Sequence, residues 1–256
     1  MGKELLFYDA YQQFYSMASE SKAFKDYCED AFGADFSQDG FSDLGQIQLL
    51  LRYIPKCDDM HILDIGCGNG KMLKYLQQET KAYIHGFDYS ENAIQTAIAQ
   101  NNARADFRVG VMGEIEYPEG SFDVAISMDS LYFAKDISQF VSQVYTWLKN
   151  GGIFLIGYQE GEIMPKTENS ETTAIAQALQ QNKLRYKVLN ITEDTYYLLK
   201  RKRESILKYE KDFQKEGQTA WFEMVLARTD CASVSLEEYC KKNARYIYVA
   251  EKYIWE

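Results

Sequence analysis

The stretch HILDIGCGNGK, residues 61–71, constrains this chain more than any other. HILDIG is apolar and bounded by turn residues, so it reads as a buried strand. Gly66, Gly68 and Gly70 permit a tight turn and let a ligand approach the backbone closely. Met72, Leu73 and Leu76 then recur at helical spacing. The same alternation continues downstream. Tyr83 to Asp88 reads as a second strand, and Ile94, Ala97 and Ile98 as a helix capped by Ser90. Phe107 to Val111 is a third strand and Phe122 to Met128 a fourth. A helix bearing Phe140, Val141, Val144 and Leu148 follows, with Gly151 and Gly152 as its expected stop before a fifth strand, IFLIGY. Strands alternating with helices predict an α/β, Rossmann-like fold: a mostly parallel sheet with helices on both faces.

The flanks extend this unit without repeating it. Residues 1–57 are predicted helical, with Phe7, Tyr11, Phe14 and Ala18 on one face and Leu44, Ile47, Leu51 and Ile54 on another. The polar stretch after Tyr158 reads as a loop. Tyr186 to Ile191 and Ala244 to Tyr253 read as strands that complete the sheet. Between them lies an insertion of about 192–232, read as one long helical segment, and then Ser235 and Glu238 as a capping box. One structural domain is expected, with parts 1–57, 58–160 and 161–256.

The 256 residues carry 28 Lys plus Arg against 38 Asp plus Glu, a formal charge of −10. Such a surface repels phosphate backbones and anionic membranes, so nucleic acid is an unlikely partner. Cys28, Cys57, Cys67, Cys231 and Cys240 lack paired metal-ligand spacing, and no metal is expected. The amino terminus has no signal-peptide core, and Leu6 stands where a myristoylation signal has Ser or Thr. No apolar run approaches a membrane span. The expected location is cytoplasmic.

The loop and its surroundings narrow the ligand. A dinucleotide fingerprint is GxGxxG, whereas this loop is GxGxG preceded by Asp64, and no P-loop pattern occurs. An acidic entry suits a ligand with positive charge and no pyrophosphate. Asp88 ends the next strand, where a carboxylate can accept both hydroxyls of a ribose.

On D-x-G-x-G-x-G, the FDYS turn, EGSFDVAISMDSLYF and LKNGGIFLI, between about Ile62 and Tyr158, the chain resembles the class I S-adenosylmethionine-dependent methyltransferases. That resemblance implies a seven-stranded sheet with a helical lid, and S-adenosyl-L-methionine as cofactor with S-adenosyl-L-homocysteine as product. It implies that Gly66, Cys67, Gly68 and Gly70 lie beneath the methionine part and ribose, with Asp64 orienting the loop or the ammonium group. Asp88 would bind the ribose hydroxyls and Tyr89 pack on the adenine. Met112 and Gly113 would face the adenine edge, and Met128 the methionine end. Val111 stands where many relatives carry Asp.

The acceptor side is expected to be a small molecule, methylated by in-line displacement. Asp129, Tyr132 and Tyr15 are the candidate catalytic residues, with Tyr8 and Tyr158 nearby candidates for lining. His61 and His85 are expected away from the site, which disfavours a histidine base. Arg203 is a candidate clamp for an acceptor carboxylate, against its reading as part of a solvated helix face. The rivals are an RNA or protein methyltransferase, with an open groove, and a non-catalytic cofactor-binding regulatory protein.

Overall fold

A computed structural model describes residues 7–37, 40–101, 104–161 and 164–253. The Met1–Leu6 start and residues 162–163 of the predicted loop lie outside the described residues. In chain order the elements are α1 (Tyr8–Glu20), α2 (Lys22–Phe32), α3 (Leu44–Leu51), β1 (His61–Ile65), α4 (Lys71–Thr80), β2 (Tyr83–Asp88), α5 (Glu91–Gln100), β3 (Ala105–Val109), β4 (Phe122–Met128), α6 (Ile137–Trp147) and β5 (Leu148–Glu160). They continue with α7 (Ala174–Gln181), β6 (Arg185–Asn190), α8 (Thr192–Lys208), α9 (Glu210–Lys215), α10 (Thr219–Arg228), α11 (Leu236–Lys242) and β7 (Ala244–Glu251).

The seven strands form one sheet in the order β3-β2-β1-β4-β5-β7-β6. Strands β1 to β5 run parallel, and β7 lies antiparallel between β5 and β6. The sheet is Rossmann-like, with the switch in strand order at β1, where ligands bind in open α/β sheets. Alternate residues of β1 serve the two faces: Leu63 and Ile65 pack with α6 and α7, and Ile62 with α3, α4 and α5. A third core, built from α1, α2, α8, α9 and α10, forms a helical cover. Among the described residues no helix is long and apolar enough to cross a membrane.

Three expectations change in detail. Gly151 and Gly152 do not stop a helix. α6 ends at Trp147, and the glycines lie inside β5 where Phe122 pairs with Leu148 but Val124 with Ile153. The extra residues loop out as a bulge, which Gly151 accommodates at φ 74°. The segment after residue 192 is three helices, because Tyr209 and Gly217 interrupt the run. An unpredicted helix, α7, follows the polar loop, capped by Thr173 whose side chain accepts from Ala176 N. The capping box at Ser235 and Glu238 forms as expected.

Candidate active site

The glycine loop turns the chain from β1 into α4. Gly66, Gly68 and Gly70 take φ values of 74°, 54° and 75°, a region in which L side chains are strained. Gly68 has a second reason to lack a side chain, since a Cβ there would stand 2.3 Å from the Tyr15 hydroxyl. The loop therefore meets α1 across a gap that only glycine leaves open. Gly66 N and Cys67 N both donate to Phe87 O, tying the loop to β2. Cys67 packs against β2 beside Gly86, and burial pushes its thiol up, so it is a loop residue and not a thiolate.

Asp88 is held by its neighbours: Oδ2 accepts from Gly68 N at 3.0 Å and Oδ1 from Ser90 N at 2.8 Å. Each oxygen keeps acceptor capacity for a further donor. Burial pushes the Asp88 carboxyl up to about 6, although the backbone N–H groups of Ser90, Gly68 and Tyr89 pull the other way. Asp64 is pushed up to about 8, first by burial and then by the charge of Asp88. Two buried carboxyls near the carboxyl ends of adjacent strands β1 and β2 are costly as anions, and a cationic ligand beside them would relieve that cost.

A cleft of about 1520 Å³, open mouth included, runs across the carboxyl ends of β1, β2 and β4. Asp64, Gly66, Cys67, Gly68, Asp88, Tyr89, Met112, Met128, Asp129, Tyr132 and Tyr15 all line it, so the fold brings together nearly every residue singled out from the sequence. Gly70 is absent from that lining, its Cβ position facing Phe107 and Ala97, and so is Gly113. It sits in the turn after β3 at φ 85°, with no atom within 4 Å of where a Cβ would stand. Tyr158 is not in the lining either, but is buried in the core against β7.

Asp129 ends β4 in a left-handed conformation, φ 58°. Its carboxylate is held on both oxygens: both pair with Arg245 of β7, and Oδ2 also accepts from Phe41 N and Ser42 Oγ, each at 3.1 Å. The Arg245 side chain is 0% exposed, and it also donates to Gln46 Oε1 and Ser42 Oγ. This network fixes the strap at residues 40–42 over the end of β4.

Helix α1 is latched to the start of α5. Gln12 Oε1 accepts from Ser90 Oγ at 3.0 Å and from Asn92 N at 3.1 Å, and Asn92 Nδ2 donates back to Gln12 O. Around this latch Tyr8, Tyr11, Tyr89 and Phe133 form an aromatic wall, with Tyr8 and Tyr89 centroids 5.8 Å apart. His61 and His85 lie at the opposite, amino-terminal end of the strands, ring nitrogen to ring nitrogen at 2.9 Å.

Of the two readings of Arg203, the structure agrees with the solvated helix face and not the clamp. Arg203 bonds to Thr229 Oγ1 and Asp230 Oδ1 in the helical cover and does not line the cleft. Lys202, one residue earlier, does. It lies three or four positions from Leu198, Leu199, Ser205 and Ile206, all buried, so helical periodicity could have pointed to it. Arg228, Phe36, Phe41 and Ser42 also line the cleft unforeseen. Arg245 had a signal in the sequence, a charged residue inside the apolar strand ARYIYVAE.

Residues 63–156 match the family model described as a methyltransferase domain. Phosphoethanolamine N-methyltransferase 1 of Arabidopsis thaliana is 29% identical over 139 residues, 52% of this chain and 28% of that protein. A mitochondrial arginine hydroxylase of Rattus norvegicus is 34% identical over 97 residues, 36% of this chain and 27% of that protein. The chain thus spans only about a quarter of the length of these curated relatives. The solved structure of Haemonchus contortus phosphoethanolamine N-methyltransferase 2, with phosphomonomethylethanolamine and S-adenosylhomocysteine, superposes with a TM-score of 0.79 at 22% identity, covering 100% of this chain and 62% of that one. The matched core, the strand order and the glycine loop agree: residues 63–156 of this chain are a methyltransferase domain.

Proposed function

We propose that the chain transfers a methyl group from S-adenosylmethionine to a small-molecule acceptor. The observation that carries this reading is the covered cleft: two buried carboxyls and a glycine loop on one wall, and the latched α1 with Tyr11 and Tyr15 on the other. A covered cleft fits a small acceptor better than the open groove that an RNA or protein substrate needs. The intact loop and Asp88 favour an enzyme over a non-catalytic binder.

When bound, S-adenosylmethionine supplies a methyl group activated by a sulfonium and leaves as S-adenosylhomocysteine. Asp88 would accept the ribose hydroxyls, and Asp64 would answer the positive charge of the methionine part. Val111 and Met112 would pack on the adenine edge, where this chain offers no carboxylate. Met128 would close the methionine end. Tyr15 and Tyr132 would orient the acceptor by their hydroxyls and exclude water. Asp129 would act as an anchor, because its charge is answered by Arg245 and its Oδ2 holds the strap. The rate then derives mainly from proximity and alignment, for which effective molarities of about 10⁵ M or more are known. An acceptor proton passes to solvent and not to a histidine.

Calorimetric titration with S-adenosylmethionine and S-adenosylhomocysteine tests this. Wild type should bind both, and Asp88→Ala should weaken binding about 100-fold, since each hydrogen bond to a charged group is worth about 1.5–3 kcal/mol. Absence of binding to well-folded wild type would overturn the reading.

A further inference from the structure

We infer that Ser130, oriented by Ser127, is a positioning residue that holds the glycine loop in its cofactor-ready shape; this rests on the methyltransferase reading above. The ladder between β1 and β4 ends at the pair Asp64 and Ile126, although β1 stays paired to β2 as far as Ile65 and β4 to β5 as far as Met128. The sheet therefore parts between β1 and β4 just where the chain enters the glycine loop. Ser130 spans that parting, its Oγ donating to Ile65 O at 2.6 Å.

The direction of the next bond follows from that one. A carbonyl only accepts, so the single Ser130 hydroxyl proton is committed to Ile65 O. The 2.6 Å contact between Ser127 Oγ and Ser130 Oγ then has Ser127 as donor. Ser127 is 0% exposed and Ser130 6%, so this short chain of hydroxyls lies out of water. A hydroxyl that accepts one bond donates a stronger one, and Ser127 in this way tightens the hold of Ser130 on β1. Ser130 lines the cleft, and Ser127 does not.

Ile65 O and Gly66 N belong to one planar peptide unit. Ser130 holds its oxygen, and its N–H donates to Phe87 O at 2.9 Å. The plane is thus held from the β4 side and from β2 at once, which leaves ψ of Ile65 and φ of Gly66 little freedom. Gly66 takes φ 74° there, and a Cβ on it would stand 2.7 Å from Ser130 Cβ. The serine packs into the space that a side chain at position 66 would need. Beyond this peptide, Cys67 N donates to Phe87 O and Gly68 N to Asp88 Oδ2. A turn of the Ile65–Gly66 plane would disturb both bonds, so the clasp on Ile65 reaches the carboxylate assigned to the ribose. A loop released from it samples shapes that do not bind, and affinity falls with the fraction that stays competent.

The test pairs calorimetric titration of S-adenosylhomocysteine with hydrogen exchange, read by NMR at the Gly66 and Cys67 amides of the ligand-free protein. Ser130→Ala should weaken S-adenosylhomocysteine about tenfold and speed exchange at both amides by a similar factor. Ser127→Ala, a change outside the cleft, should do the same about threefold. The double variant should match Ser130→Ala alone, because Ser127 acts through Ser130. The Leu155 amide in the middle of β5 should keep its protection in all three. Unchanged affinity and exchange in both single variants would overturn the inference. So would weakened binding in Ser130→Ala with exchange as in wild type, which would make Ser130 a direct contact only. An equal loss of protection at Leu155 would also overturn it, leaving the serines as general packing residues. Failure of wild type to bind S-adenosylhomocysteine would instead remove the methyltransferase reading beneath it, while the exchange rates still judge the clasp.

Discussion

On the sheet side of the cleft, one stretch of chain from Asp64 to Met112 supplies most of the lining, largely through backbone turns and two carboxyls. On the cover side, side chains arrive from residues 11, 15, 36, 37, 41, 42, 132, 202 and 228. The first wall is a local structure, and its residues stay together whatever the rest of the chain does. The second exists only after α1, the strap and the insertion have docked, so it is specified by packing between distant segments. Under the proposed function, such a site keeps the wall assigned to the cofactor fixed while the cover is free to change.

The contrast can be broken most strongly at Arg245. Arg245→Met leaves the Asp129 carboxylate buried without its cation, and loss of one partner of a buried pair costs about 3–5 kcal/mol. Urea denaturation should show a loss of that size, although Arg245 lies on β7, far from the glycine loop in sequence. A loss under 1 kcal/mol would mean that the two walls are not tied together there.

The next effect is in pH. Folding raises the carboxyls of Asp88 and Asp64 from 3.8 to about 6 and about 8. Their protonated forms therefore favour the folded, ligand-free protein: the contribution is complete below pH 3.8 and is lost as pH rises through about 6 and then about 8. Affinity for the cationic cofactor moves the opposite way, because it selects the ionised carboxylates. Between pH 5 and 7 ionisation of Asp88 alone should tighten S-adenosylmethionine about tenfold. A flat profile in wild type, or an equally steep one in Asp88→Asn, would remove Asp88 from the binding step.

Gln12→Ala should act more gently. It removes acceptor contacts to Ser90 Oγ and Asn92 N, worth together about 1–2 kcal/mol. The expected result is a three- to thirtyfold faster release of S-adenosylhomocysteine, read by stopped-flow, with little change in thermal stability. Smallest of all is Arg203→Ala. Its ion pair with Asp230 is 39% and 67% exposed, and pairs of that kind contribute at most about 1 kcal/mol. Cofactor and acceptor affinity should be unaltered.

The same contrast explains what was legible beforehand. Glycines at positive φ, an acid before them and an acid at the end of the next strand are local demands of backbone and charge, so the glycine-loop wall of the cleft is legible residue by residue. Gly113 misled because a turn glycine beside the cleft looks the same in sequence as one facing it. The cover was readable as helix but not as contact. Arg203 and Lys202 are both compatible with the apolar stripe of α8, and only docking against α2 and the strap decides which of them turns inward. The double glycine at 151–152 matches helix-stop chemistry in sequence, whereas the sheet register makes it a bulge.

Strand β7 also bears on how the molecule comes into being. It slots between β5 and β6 and delivers Arg245 to Asp129, a partner 116 residues earlier. Until β7 has been made, the 13-residue strand β5 has one edge with unpaired backbone groups. Such an edge is a template for pairing with other chains. During synthesis the nascent protein is therefore most vulnerable to aggregation between the completion of β5 and the arrival of β7, the interval occupied by the insertion that covers the cleft.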